Sequence, residues 1–131
     1  MGKTVMITNF QEYYKLSEYF SKYTGKKVFL TMGVDNLIKV FNEAYYTNLD
    51  GGILEAFSKL FTKNITIFLY PMLRKNKIIN SSKLLVSKSM KNLYKYFIKN
   101  TRIIDISDYN QSYLSIFSSD VLKKIQSNEK G

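Results

Sequence analysis

The chain contains no cysteine and no histidine. Without cysteine there is no disulfide framework, no thiol catalysis and no thiolate metal site, which fits a cytoplasmic or organelle-stromal setting. Without histidine the commonest general base, the usual activator of a nucleophile and the commonest zinc ligand are all missing, so most hydrolase and metalloenzyme classes fall. Arginine is confined to Arg74 and Arg102, and Pro71 is the only proline. No apolar run approaches the roughly 18–20 residues of a membrane helix. The start, MGKTVMITNF, lacks the basic region, apolar stretch and small-residue cleavage site of a secretory signal. The expectation is a soluble protein with no membrane partner. Neither G-x-G-x-x-G nor G-x-x-x-x-G-K-[ST] occurs, so neither standard phosphate loop is present. An enzyme would have to work with Asp, Glu, Lys or the 11 tyrosines, and the expectation leans towards a protein without catalysis.

What is present is an ordinary globular composition, 45% hydrophobic over 131 residues, enough for one real core and too little for two. Residues 1–126 are expected to form a single domain and 127–131 a frayed tail. Strand and helix signals alternate. Lys3 to Thr8 reads as a buried strand that hands over at Asn9, with Glu12 three residues on at capping-box spacing. Tyr13, Leu16, Phe20 and Tyr23 then mark a helix stopped by Gly25 as a left-handed cap. Lys27 to Met32 is a second strand, followed by Asp35 or Asn36 as cap and a helix of about three turns through Leu37, Ile38, Phe41 and Tyr45.

After the break TNLDGG a further helix carries Ile53, Leu54, Phe57, Leu60 and Phe61, with Asn48 and Asp50 as cap candidates. Ile65 to Tyr70 is the clearest strand, Met72 to Ser82 a polar connection or hairpin, Ser87 or Ser89 the start of a helix to about Asn100, and Arg102 to Ile106 a strand. Tyr113 to Phe117 reads as a short strand or turn, before a last helix to about Ile125. This alternation is the pattern of an α/β, Rossmann-like three-layer fold, with a mainly parallel sheet of about four to five strands and helices on both faces.

In such sheets ligands bind beyond the carboxyl ends of the strands, where strand order reverses. That points to Thr8, Asn9, Gly33, Asp35 and Asn36 as ligand-binding candidates. Gly51 and Gly52 join them as a place where backbone can approach a ligand closely. The same residues serve equally as helix caps and turns. Asp105 and Asp108 with Glu43, Glu55 or Asp35 match the spacing of no known cation loop, so no metal is assigned, and no cofactor is identified.

The net charge of +10 suits an acidic partner, although abundant Lys, Asn, Ile, Tyr and Phe are also how an AT-biased genome spells a surface. The excess is regional, since residues 64–102 carry nine Lys or Arg and no acid. Within it Lys88, Lys91, Lys95 and Lys99 recur at helical spacing on one face, an anion-binding candidate. Scarce arginine and absent base-reading motifs make sequence-specific nucleic-acid recognition the weaker partner reading. The tyrosines at 13, 14, 19, 23, 45, 46, 94 and 96 fall at helical spacing, as core and rim.

Over KTVMITNFQEYYKLSEYFSKYTGKKVFLTMGVDNLIKVFNEAYYTNLDGGILEAFSKLF, LYKYFIKNTRIIDI and YLSIFSSDVLKKI, nearly the whole chain, the sequence resembles the carboxyl-terminal half of a family of large soluble bacterial and cyanobacterial proteins labelled nicotinate-nucleotide adenylyltransferase-like. The resemblance implies a Rossmann-like domain cut from a longer protein, with a nucleotide-type ligand and an amino-terminal portion, or another protein, as partner. Nucleotidylyl transfer in that superfamily uses a histidine-containing phosphate motif and a late Ser/Thr-rich motif with Arg. This chain has neither. The reading is therefore a non-catalytic or truncated module that binds a nucleotide or phosphorylated ligand or docks on a partner protein. A nucleotide-acting transferase and a basic nucleic-acid-associated protein stand as alternatives.

Overall fold

The computed structural model describes residues 11–129. The expected strand Lys3–Thr8, and with it the candidates Thr8 and Asn9, lie outside them. Helix α1 (Tyr13–Tyr23) buries Tyr14 and Ser17 and ends where Thr24 turns extended, so Gly25 is not a left-handed cap; among the described glycines only Gly52 has a positive φ. Strand β1 (Val28–Gly33) leads through Gly33 into α2 (Val34–Val40), which places Asp35 and Asn36 inside the first helical turn rather than at its cap. The expected three-turn helix is cut short because the Asn42 side chain accepts the Ala44 amide and starts a separate 3-10 turn, Glu43–Tyr46.

Helix α3 (Gly52–Leu60) and strand β2 (Ile65–Tyr70) follow, close to their expected spans. Met72–Arg74 (β3) and Lys77–Ile79 (β4) form a hairpin over Lys75 and Asn76. Both turn residues have positive φ, 48° and 59°, as a tight hairpin turn demands. Then come α4 (Lys91–Lys99), β5 (Ile103–Asp105) and α5 (Ser118–Glu129), the last running beyond the expected end at Ile125.

The parallel sheet has three strands among the described residues, in the order β1-β2-β5, and the further strand expected at Lys3–Thr8 lies outside them. Val28 to Gly33 pair with Ile65 to Tyr70 in register, and Ile67 to Leu69 with Ile103 to Asp105. The hairpin forms its own sheet, and Tyr113, where a further strand was an option, closes a 3-10 turn organised by the Asn110 side chain.

Strand order follows chain order, and right-handed crossovers that step the same way across a sheet lay their helices on one face. Leu30, Met32, Ile65, Ile67, Leu69 and Ile103 accordingly bury into one core cluster with residues of the helices. On the opposite face Phe29 remains 51% exposed and Ile104 39%, with Phe29 stacked on Phe68 at 4.7 Å. The described residues thus make two layers where three are expected, and no strand-order reversal occurs among them.

Above the sheet the core is aromatic. Phe41, Phe57 and Phe97 come from three separate segments and meet with ring centroids 5.0 to 6.2 Å apart. Helix α1 is tied to this block by the buried Ser17 hydroxyl, which donates to the Leu60 carbonyl at 3.0 Å.

Candidate functional site

The candidate residues separate into three places. Gly33, Asp35 and Asn36 line a cleft of about 250 Å³ beyond the carboxyl ends of β1 and β2, with Lys39, Tyr70 and Tyr113. It falls below the roughly 300–1,000 Å³ of small-molecule pockets. Its charged lining residues are Lys39 and Asp35, whose carboxylate lies 3.7 Å from the Arg74 guanidinium. Helix α2 spans seven residues and offers little dipole to an anion.

Gly51 and Gly52 line a broader groove, about 730 Å³, between the start of α3 and α4. Local structure accounts for the pair. The Glu55 carboxylate reaches back to accept the Gly51 amide at 2.9 Å, and Gly52 sits at φ +57°. A Cβ at Gly51 would approach the Glu55 Cβ to 2.8 Å.

The third place is the most distinctive. Lys91, Lys95 and Lys99 lie on α4 and Lys88 on the 3-10 turn before it, a stripe roughly 16 Å long at 1.5 Å per residue. All four are exposed, and among the described residues no ion pair engages them. They edge a groove of about 610 Å³ between α4 and the segment 81–86, floored by Leu84, Val86 and Ile98, with no acidic residue among the described residues that line it. Leu85, at its side, is 87% exposed.

A latch holds that second wall. The Ser81 amide and hydroxyl donate to the two Asp105 carboxylate oxygens at 2.9 and 2.6 Å, and the Tyr94 hydroxyl donates to the Ser81 carbonyl at 2.6 Å. Burial, and secondarily the nearby Asp105 charge, push the Tyr94 hydroxyl far above the usual phenol range, so it stays a donor at every physiological pH. Asp105→Asn is expected to lower stability by about 1–2 kcal/mol, since a charge-assisted pair is lost. Urea denaturation beside Asp108→Asn checks this, and equal losses in the two variants would deny the latch.

Both arginines have partners within the fold. Arg74 is paired with Asp35, and Arg102 donates to the Thr62 and Ile65 carbonyls beneath the Phe61 ring. The carboxylates do not assemble a metal centre among the described residues: Glu43 accepts from Ser89, Glu55 caps α3 and Asp105 holds Ser81. The lysine stripe is legible in the sequence, whereas Ser81, Leu84, Leu85 and Val86 are not legible as the opposite wall. Their one signal is an apolar triplet in a stretch with no helical or strand period. No helix among the described residues is long and apolar enough to cross a membrane. Compared with protein-family models, curated proteins and solved structures, the chain matches none.

Proposed function

We propose that the chain is a non-catalytic, Rossmann-like module of the cytoplasm or an organelle stroma, which binds a phosphorylated ligand in the groove along α4. The observation that carries this reading is the groove itself: four lysines that, among the described residues, no ion pair engages, beside a concave floor with no acidic residue among its described lining. Ammonium groups so arranged favour a multiply charged anion, in a manner weakened by salt. The nicotinate-nucleotide adenylyltransferase-like resemblance extends the candidate ligands to nucleotides. Single-stranded nucleic acid fits less well, because Tyr94, the one aromatic side chain among the described residues lining this groove, is buried and hydrogen-bonded and offers no stacking face.

Pyrophosphate and ADP are the probes. Calorimetric titration at low salt is expected to show binding that weakens steadily as salt rises. The Lys88/Lys91/Lys95/Lys99→Gln variant should lose about tenfold or more in affinity, given some 0.2–1 kcal/mol for each exposed charge contact. Unchanged affinity in that variant would reject the site.

A further inference from the structure

We infer that the ligand of the α4 groove is an anionic amphiphile, a single apolar chain bearing a phosphate head and taken up as a free monomer. This rests on the anion-binding reading above and adds to it. A phosphate alone would meet the lysine rim and leave the rest of the groove unused. The floor beneath that rim is Leu84, Val86 and Ile98, and the cavity of about 610 Å³ lies within the range of pockets that enclose a whole small molecule. Lys91, Lys95 and Lys99 line it together with these apolar residues. Lysine stems lie along apolar surface while their ammonium groups stay in water, so chain and head find their environments a few ångströms apart. Leu85, 87% exposed at the same wall, is apolar surface that a bound chain would cover.

The groove's polar inner groups are already satisfied. Ser81 and Tyr94 are committed to the latch with Asp105, which leaves little to recognise a sugar or a base deep inside. What distinguishes ligands at this site is then chain length below and charge above.

The test is a titration series of hexyl, octyl and decyl phosphate, each below its micelle concentration, beside pyrophosphate and the uncharged decyl maltoside. Affinity is expected to rise about two- to fourfold per added methylene. Decyl phosphate should bind at least tenfold more tightly than decyl maltoside. Leu85→Ser, a change at an exposed position that leaves folding intact, should flatten the dependence on chain length while pyrophosphate affinity stays the same. Lys91→Gln/Lys95→Gln should weaken every anion and leave decyl maltoside unaffected. Equal affinity for pyrophosphate and decyl phosphate would overturn the amphiphile and leave the anion site standing. Failure of all anions, pyrophosphate included, would remove both readings. Decyl maltoside binding as tightly as decyl phosphate would overturn the anionic head, and binding to phosphatidic acid vesicles with none to the monomers would overturn the free ligand.

Discussion

Phe57→Ala is expected to destabilise the fold by about 3–5 kcal/mol, a large share of the roughly 5–15 kcal/mol that holds a domain of this size together. Phe57 is buried on α3, and its ring meets Phe41 at 5.0 Å, Phe61 at 5.2 Å, Phe97 at 5.5 Å and Tyr46 at 6.3 Å, all near-perpendicular. Edge-to-face pairs contribute beyond the area they bury, and one truncation here breaks four of them. The hole would be lined by side chains from α3, α4 and the end of α2, whose backbones cannot all move in to fill it. Urea denaturation should show a lower midpoint with an unchanged slope. Phe57→Leu, which keeps most of the volume, should lose less than half as much. Leu54→Ala, on the same helix but 64% exposed, should stay within about 0.5 kcal/mol. If Phe57→Ala fell no further than Leu54→Ala, the aromatic block would not be the centre of the core.

The inward direction of these rings was legible in the sequence. Phe41, Phe57 and Phe97 each sit on the apolar stripe of an amphipathic segment, and a 3.6-residue period reports which face is buried without reporting what it meets. The α2 break was illegible for the same reason: Leu37, Ile38, Phe41 and Tyr45 keep perfect helical spacing across it, while the competing bond from the Asn42 side chain leaves no mark on the period. The alternation of strands and helices predicts helices on both faces of the sheet, and so cover on both sides of Lys27–Met32 and Ile65–Tyr70. Which faces are covered depends on strand order, and order is a tertiary property. Thr66 and Thr31, alternating with Ile65, Ile67, Leu30 and Met32, are the local trace of the uncovered side.

The candidate site divides along the same line. Four lysines at helical spacing are a local pattern that the sequence shows; the wall opposite them is not, because it is held by Ser81 and Asp105, 24 residues apart in sequence. Nothing local distinguishes an aspartate that locks a loop from one at the end of any strand. Regional charge misled in one respect. Arg74 and Arg102 counted towards the excess, yet Arg74 faces Asp35 and Arg102 is spent on backbone carbonyls.

Stability is expected to fall steeply between about pH 10 and pH 12, and Tyr46 supplies an identifiable part of that fall. Its ring is 6% exposed, and its hydroxyl donates to the Val40 carbonyl at 2.8 Å. Burial, with a smaller contribution from Tyr14, raises its pKa from 10.0 to about 12. A folded-state pKa above the unfolded one means that the folded chain holds the proton longer. The stability this gives is fully present below pH 10 and is lost as pH rises towards 12, because ionisation then favours the unfolded chain. Over that window the loss from Tyr46 is about 2 kcal/mol. Tyr94 acts in the same direction, held protonated by burial and by the neighbouring Asp105. Neutralisation of lysines over the same range changes the balance of surface charge, so the informative comparison is between variants at each pH. Tyr46→Phe/Tyr94→Phe should be less stable than the parent at pH 8 by about 1 kcal/mol for each hydrogen bond removed. By pH 11.5 the difference should vanish or reverse, since phenylalanine cannot ionise. Thermal melts followed by circular dichroism across this range measure both limbs, and parallel decline of parent and double variant would show that neither hydroxyl governs the alkaline transition.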